Sequence, residues 1–242
     1  MNYPSVASFF FMFLFIYLFG YFLIFRHWGD THRAEAASCL ASLAHGTPAV
    51  FMATIAILTA QITNFSSPNT PLQNMVLDYG IAYFLLDLLH YLVFFPSDIL
   101  FILHHLATLY VFLTCRYVVC HGAFALLILL VLAEVTSACQ NIWTLADFRK
   151  THVPAAKNLH ELMSPFFYAF YSVARGIIGP FVVYKIGIFY LSGGANNFIP
   201  TWAWVSWLTV ISIAILISIS WVFNHWVDWF TQKGQALLEK QR

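Results

Sequence analysis

The chain is predicted to be an all-α, polytopic membrane protein with seven transmembrane helices, and three observations carry that reading. Only 9% of its 242 residues are charged, whereas 61% are hydrophobic and 19% aromatic. A soluble domain carries about 25% charged residues, so this chain lacks the polar surface that water would require. Seven apolar stretches are long enough to cross about 30 Å of hydrocarbon, which takes about 20 helical residues. The basic residues, finally, fall almost entirely on one side of those stretches. Helices are the form these segments must take, because isolated strands would leave backbone groups unpaired in lipid.

The stretches run approximately over 5–25, 36–60, 76–95, 99–118, 122–146, 162–190 and 201–227. The first is rich in phenylalanine and has no polar stripe, so it is expected to face lipid. It has no basic segment before it, its apolar run is long, and Arg26 and Arg33 follow it, which marks a span rather than a cleaved signal peptide. The second holds His45 in a Ser-Leu-Ala-His-Gly segment, where a helix-packing histidine is the simpler expectation. In the third, Asp87 and His90 are spaced i,i+3 and share a helix face with Tyr83. The fourth carries the adjacent pair His104 and His105, which diverge by about 100° around a helix, so one can face a site while the other packs. Glu134, Ser137 and Asn141 form a polar stripe in the fifth, and Tyr168, Tyr171 and Arg175 form another in the sixth. The seventh has no lysine, which argues against a retinal Schiff base.

The connecting segments are short, and no repeat or soluble domain is visible. Residues 1–33 read as a lead helix and loop, 34–227 as a six-span membrane domain, and 228–242 as a cytosolic tail. With the N-terminus outside, the inside segments hold Arg26, Arg33, Arg149, Lys150, Lys157, Lys233, Lys240 and Arg242, and the outside segments hold only Arg116. That bias predicts an outside or lumenal N-terminus and a cytosolic C-terminus. The sequon at Asn64 then lies outside, where glycosylation is allowed. A net charge of +1 offers no basic patch for nucleic acid. Cys39, Cys115, Cys120 and Cys139 have no metal-type spacing and read as small apolar residues.

Ionisable groups within spans are costly and usually paired or functional. At about 1.5 Å per residue, His104, His105 and His90 fall roughly 8 Å from the inside face and Asp87 roughly 12 Å, with Glu134 in the same half of the membrane. Convergence at one depth is what a site predicts. Each could also simply join helices by hydrogen bonding, with Arg175 as a partner of Glu134 or Asp87. Metal sites need several converging N, O or S ligands, and only one histidine pair is clustered here, so no metal or other cofactor is expected.

Four segments carry a family resemblance: Ser42–Gly46, Asp87–Tyr91, His104–Thr108, and Leu132–Ser137 continuing to Asn141 and Trp143. Together they resemble the TLC-domain family of endoplasmic reticulum membrane proteins, which includes the ceramide synthases. The likeness covers roughly 34–227 and is greatest to small plant and animal members. It implies a six-helix core around a central cavity, with the first span as an addition. It also implies a place in the endoplasmic reticulum and a role in lipid metabolism. Ceramide synthases follow their histidine pair with a second acidic motif in the next span, where this chain has Glu134 as its only acid. That departure resembles the non-synthase branch.

Two functions stay open. One is a protein that binds or senses membrane lipids and acts in lipid homeostasis, with His90, Asn141, Arg175 and Ser137 contacting the lipid. The other is an acyl-CoA-dependent acyltransferase of ceramide synthase type, with acyl-CoA as co-substrate. There His104 or His105 would be the base or nucleophile, and Asp87 or Glu134 would orient it. Membrane lipids are the expected partners, and a homodimer is compatible with the sequence.

Overall fold

The structure is a computed structural model and describes residues 4–241; Arg242, counted among the inside basic residues, lies outside them. Among the described residues, seven helices are long and apolar enough to cross a membrane. We label them α1 (Val6–Ile24), α2 (His32–Leu58), α3 (Pro71–Phe94), α4 (Ile99–Val119), α5 (Ala123–Arg149), α6 (Pro154–Gly194) and α7 (Thr201–Gln235). Among the described residues no strand forms beyond one isolated bridge, between Pro68 and His121. The all-α prediction holds.

Contacts run α2 to α3, α3 to α4, α4 to α7, α7 to α6, and through α5 back to α2, so six helices close a ring. The α3 helix is the most enclosed of the spans. Its start is fixed by Pro71 at the first turn and by a capping box between Thr70 and Gln73. Buried Ala34, Ala37, Ala41, Ala49, Ala53 and Ala56 form a small-residue seam along α2. Where lipid gives no hydrophobic drive between helices, such seams let backbones approach closely.

The α1 helix packs against α2 and α3 outside that ring. Its Phe11, Phe15 and Phe22 are exposed, as a lipid-facing helix requires. The opposite face departs from the expectation. Phe13 is completely buried, within ring-contact distance of His45, Tyr79 and Tyr83. The reason is physical: an all-apolar helix shows no amphipathic stripe even where one side packs on protein rather than lipid.

Two helices are longer than their apolar stretches. The α6 helix begins at Pro154 rather than near 162, because Pro is preorganised for a first helical turn. Its 41 residues would extend about 60 Å if straight, so its polar start, with Lys157 and Glu161, projects beyond the hydrocarbon. The segment 228–241, read as part of a tail, continues the last helix. Where the C-terminal part of α5 and α7 meet the first half of α6, a second apolar cluster forms around Phe167, Tyr168, Tyr171 and Val222. Trp143 joins it, bonding Ser164 through its indole N–H at 2.9 Å.

Two local irregularities shape the interior. The α5 helix is interrupted at Val135 and Thr136, directly after Glu134. The α6 helix widens into π-helical turns over Ser172–Ile178, the stretch that carries Arg175. Such π-turns frequently occur at functional positions.

Candidate functional site

The ionisable residues resolve into a closed cluster and an open cavity. The closed cluster is built on Asp87 of α3. Ser38 of α2 donates its hydroxyl to Asp87 Oδ1 at 2.5 Å, and Tyr83 lies 3.5 Å from Oδ2. His105 Nε2 meets Oδ2 at 2.8 Å, while His105 Nδ1 lies 2.7 Å from the Phe101 carbonyl one turn earlier. Three helices therefore supply one carboxylate with its partners. Asp87 and His105 are both buried.

This pattern assigns the protons. The Phe101 carbonyl can only accept, so Nδ1 of His105 carries a hydrogen. Another proton must then lie between Nε2 and Asp87, whichever of the two holds it. The pair retains its own proton and has no net charge, and His105 has no free lone pair for a substrate. His90, one turn along the same face, lies 2.9 Å from the Tyr17 hydroxyl of α1 through Nδ1. The cluster thus ties α1, α2, α3 and α4 together.

The neighbouring histidine has the opposite fate. His104 has no side-chain hydrogen bond to another described residue and faces a cavity of about 160 Å³ between α3, α4, α5, α6 and α7. Most of the wall is apolar, from Phe84, Leu126, Leu130, Val210 and Ile211 among others. Its polar groups are His104 and Thr108 of α4, Glu134 of α5, Arg175 of α6 and Ser218 of α7. The Thr108 hydroxyl is already committed to the His104 carbonyl at 2.9 Å.

The interruption in α5 explains how Arg175 is held. Breaking the helix after Glu134 leaves the Ala133 carbonyl without a regular helical partner, and Arg175 Nη2 donates to it. Arg175 Nη1 donates to the Tyr171 hydroxyl at 3.1 Å, with the guanidinium 4.7 Å from that ring's centre. The expected pairing of Arg175 with Glu134 or Asp87 is therefore replaced by a carbonyl and a tyrosine. Among the described residues no carboxylate lies within ion-pair distance of it.

Glu134 turns instead toward α2. Its Oε2 lies 3.8 Å from Nδ1 of His45 and against Gly46, where an added Cβ would come within 2.8 Å. A glycine is what that close approach needs. His45 is completely buried, stacked on Tyr83 with ring centres 4.1 Å apart, and among the described residues neither ring nitrogen has a hydrogen-bond partner. It packs as expected but is not satisfied.

Asn141 and Ser137 stand apart from the cavity. Asn141 Nδ2 donates to Ser42 of α2 at 2.9 Å and to the Ser137 carbonyl, joining α5 to α2. Of the eight sequence candidates, His104, Glu134 and Arg175 line the cavity. Asp87, His105 and His90 belong to the closed cluster, and Asn141 and Ser137 to a helix seam. Sequence reasoning did not single out Ser38 or Tyr17, although Ser38 stands one helical turn before Ser42 on a common face. Among the described residues no group of three or more His, Cys, Asp and Glu side chains converges to hold a metal ion.

Comparison with known proteins adds a family to this geometry. The family model for the TLC domain matches residues 5–227, so the match includes the first helix as well as the ring. Over 232 residues the chain is 54% identical to a TLC domain-containing protein of Arabidopsis thaliana, a similarity covering 95% of this chain and 91% of that protein. No solved structure matches the chain.

Proposed function

The chain belongs to the TLC-domain family, a family linked to lipid metabolism, and from that premise we propose that it binds a membrane lipid in its intramembrane cavity and acts in lipid homeostasis. The observation that carries this reading is the composition of the cavity wall: an apolar surface inside the membrane ring, interrupted by His104, Glu134 and Arg175. Ligand sites are commonly apolar pockets with a few convergent polar groups. In lipid surroundings, uncommitted polar groups are costly, so they point to a polar ligand or to water.

Binding is favoured over catalysis by the fate of the histidine pair. A histidine that abstracts a proton is usually oriented by a third group through its other nitrogen. Asp87 gives that orientation to His105, which has no free lone pair, and not to His104, which faces the cavity. The second reading, an acyltransferase using acyl-CoA, rests on His104, whose free ring borders the cavity and could accept a proton from an attacking amine or hydroxyl. The basic residues at the inside ends of the helices support a cytosolic C-terminus. The family likeness supports the endoplasmic reticulum.

Mass spectrometry of lipid retained by the purified protein tests the reading. One lipid class should co-purify and should be lost when the wall is filled by Ala214→Trp. Retention of nothing above the bulk lipid composition would overturn it. For the second reading, acyl transfer from acyl-CoA to a long-chain amine or alcohol should be present and should vanish in His104→Ala.

A further inference from the structure

The two charged side chains on the cavity wall are differently engaged. Glu134 Oε2 is directed at His45 and Gly46 of α2. Arg175 is a fixed cation with five N–H donors. Two of them are used, on the Ala133 carbonyl and the Tyr171 hydroxyl, and the buried Nε has no partner among the described residues. Those two bonds, with the Tyr171 ring beside the guanidinium, hold the group in one orientation and leave unused donors on the cavity wall. It stands in the π-helical turns of α6, far from either end of that helix. An unneutralised guanidinium at this depth is expensive, and its planar fork suits two oxygens of one anion.

We propose that Arg175 is the receptor for an anionic headgroup, a carboxylate or a phosphate monoester, on a single-chain amphiphile seated in this cavity. The proposal rests on the lipid-binding reading above and names the ligand class. Size supports a single chain. The cavity's 160 Å³ is close to that of an engineered protein cavity of about 150 Å³ that takes one benzene. It can seat a small headgroup and the first carbons of one tail, but not a bulky headgroup with two chains. The tail would run along Leu126, Leu130, Val210 and Ile211.

The test uses the full chain in neutral phosphatidylcholine nanodiscs at alkaline pH, where a fatty acid is ionised. Binding of radiolabelled palmitate and 1-palmitoyl lysophosphatidate is compared with that of their uncharged counterparts, methyl palmitate and 1-palmitoylglycerol. At least one acid should bind about tenfold more tightly than its neutral counterpart, the increment expected of a hydrogen bond to a charged group. Which acid does so identifies the source of the anion. Arg175→Gln should remove the preference, bringing binding of the acid to that of its neutral counterpart in the same variant, and Arg175→Lys should retain part of it. Equal binding of acid and neutral lipid by the unmodified protein would overturn the proposal, as would a preference that survives Arg175→Gln. If Arg175→Gln does not fold, the acid–neutral ratio of the unmodified protein and the Arg175→Lys variant decide. Binding of neutral lipids without preference would leave the lipid-binding reading intact, whereas binding of none of the four would bring both down.

Discussion

His104 and His105 are adjacent in sequence, yet one faces the cavity and the other is locked against Asp87. The contrast extends to their surroundings. Around Asp87 the polar groups are partnered: Ser38 of α2, Tyr83 of α3 itself and His105 of α4 on the carboxylate, and Tyr17 of α1 on His90. Around the cavity, His104, the Nε of Arg175 and both nitrogens of nearby His45 are uncommitted. Polar groups within the spans of a membrane protein thus serve two ends. A satisfied network fixes the packing of helices, and an unsatisfied one keeps donors and acceptors for something else.

If the Asp87 cluster is structural, removing its centre should have the largest effect. Asp87→Ala leaves His105, Ser38 and Tyr83 without their shared acceptor, and breaking such a buried pair costs about 3–5 kcal/mol. The expected outcome is loss of folded protein in mild detergent, read by thermal unfolding and gel filtration. Wild-type stability in this variant would show that the cluster does not hold the ring. A smaller loss is expected from Gly46→Val. Its Cβ would meet Glu134 Oε2 at 2.8 Å and Ser137 Cβ at 3.1 Å, forcing α2 and α5 apart. Overpacking of this kind costs about 1–3 kcal/mol. Because the displaced side chain lines the cavity, lipid retention should fall along with stability, which makes this variant a bridge between the two regions.

Tyr17→Phe should cost less still. It removes only the hydroxyl that meets His90, and hydrogen bonds between membrane helices average about 0.6 kcal/mol. A shift of that size in the unfolding midpoint, with lipid binding unchanged, would place α1 in the supporting structure. No shift would leave the apolar packing around the buried Phe13, not this hydrogen bond, as what holds α1 to the ring.

How much of this was legible in the chain depends on which physical signal each feature leaves. The seven spans were readable because hydropathy over about 20 residues responds directly to the bilayer. Their ends were less so: residues 154–161 are polar and look like a loop, although Pro154 opens a helix there. The divergence of His104 and His105 follows from helical angle alone. Which of the two would be locked does not, since it depends on the position of Asp87, 18 residues earlier in the chain. Tyr17 went unnoticed because a tyrosine in a phenylalanine-rich span carries no pattern. The break in α5 was invisible because Val135 and Thr136 are unremarkable in a helix, and the Ala133 carbonyl that anchors Arg175 is a backbone atom. Partners that lie on other helices, or on the main chain, leave no periodic trace.

The smallest structural effect, and the sharpest functional one, is expected at His104. His104 has no side-chain hydrogen bond to another described residue, so truncating it breaks none. His104→Ala should therefore change stability by no more than about 0.5 kcal/mol, as substitutions away from packed or bonded features do. His105→Ala should unfold the protein far more readily, since it strips Asp87 of its closest ring partner. Paired measurements of unfolding midpoint and retained lipid on these two variants separate the regions cleanly. If His104 contacts a bound headgroup, its variant keeps its fold and loses or exchanges its lipid. Were His104→Ala instead as unstable as His105→Ala, the ring would have to be bonded within the fold, and the division between a locked cluster and an available one would fail at the residue that defines it.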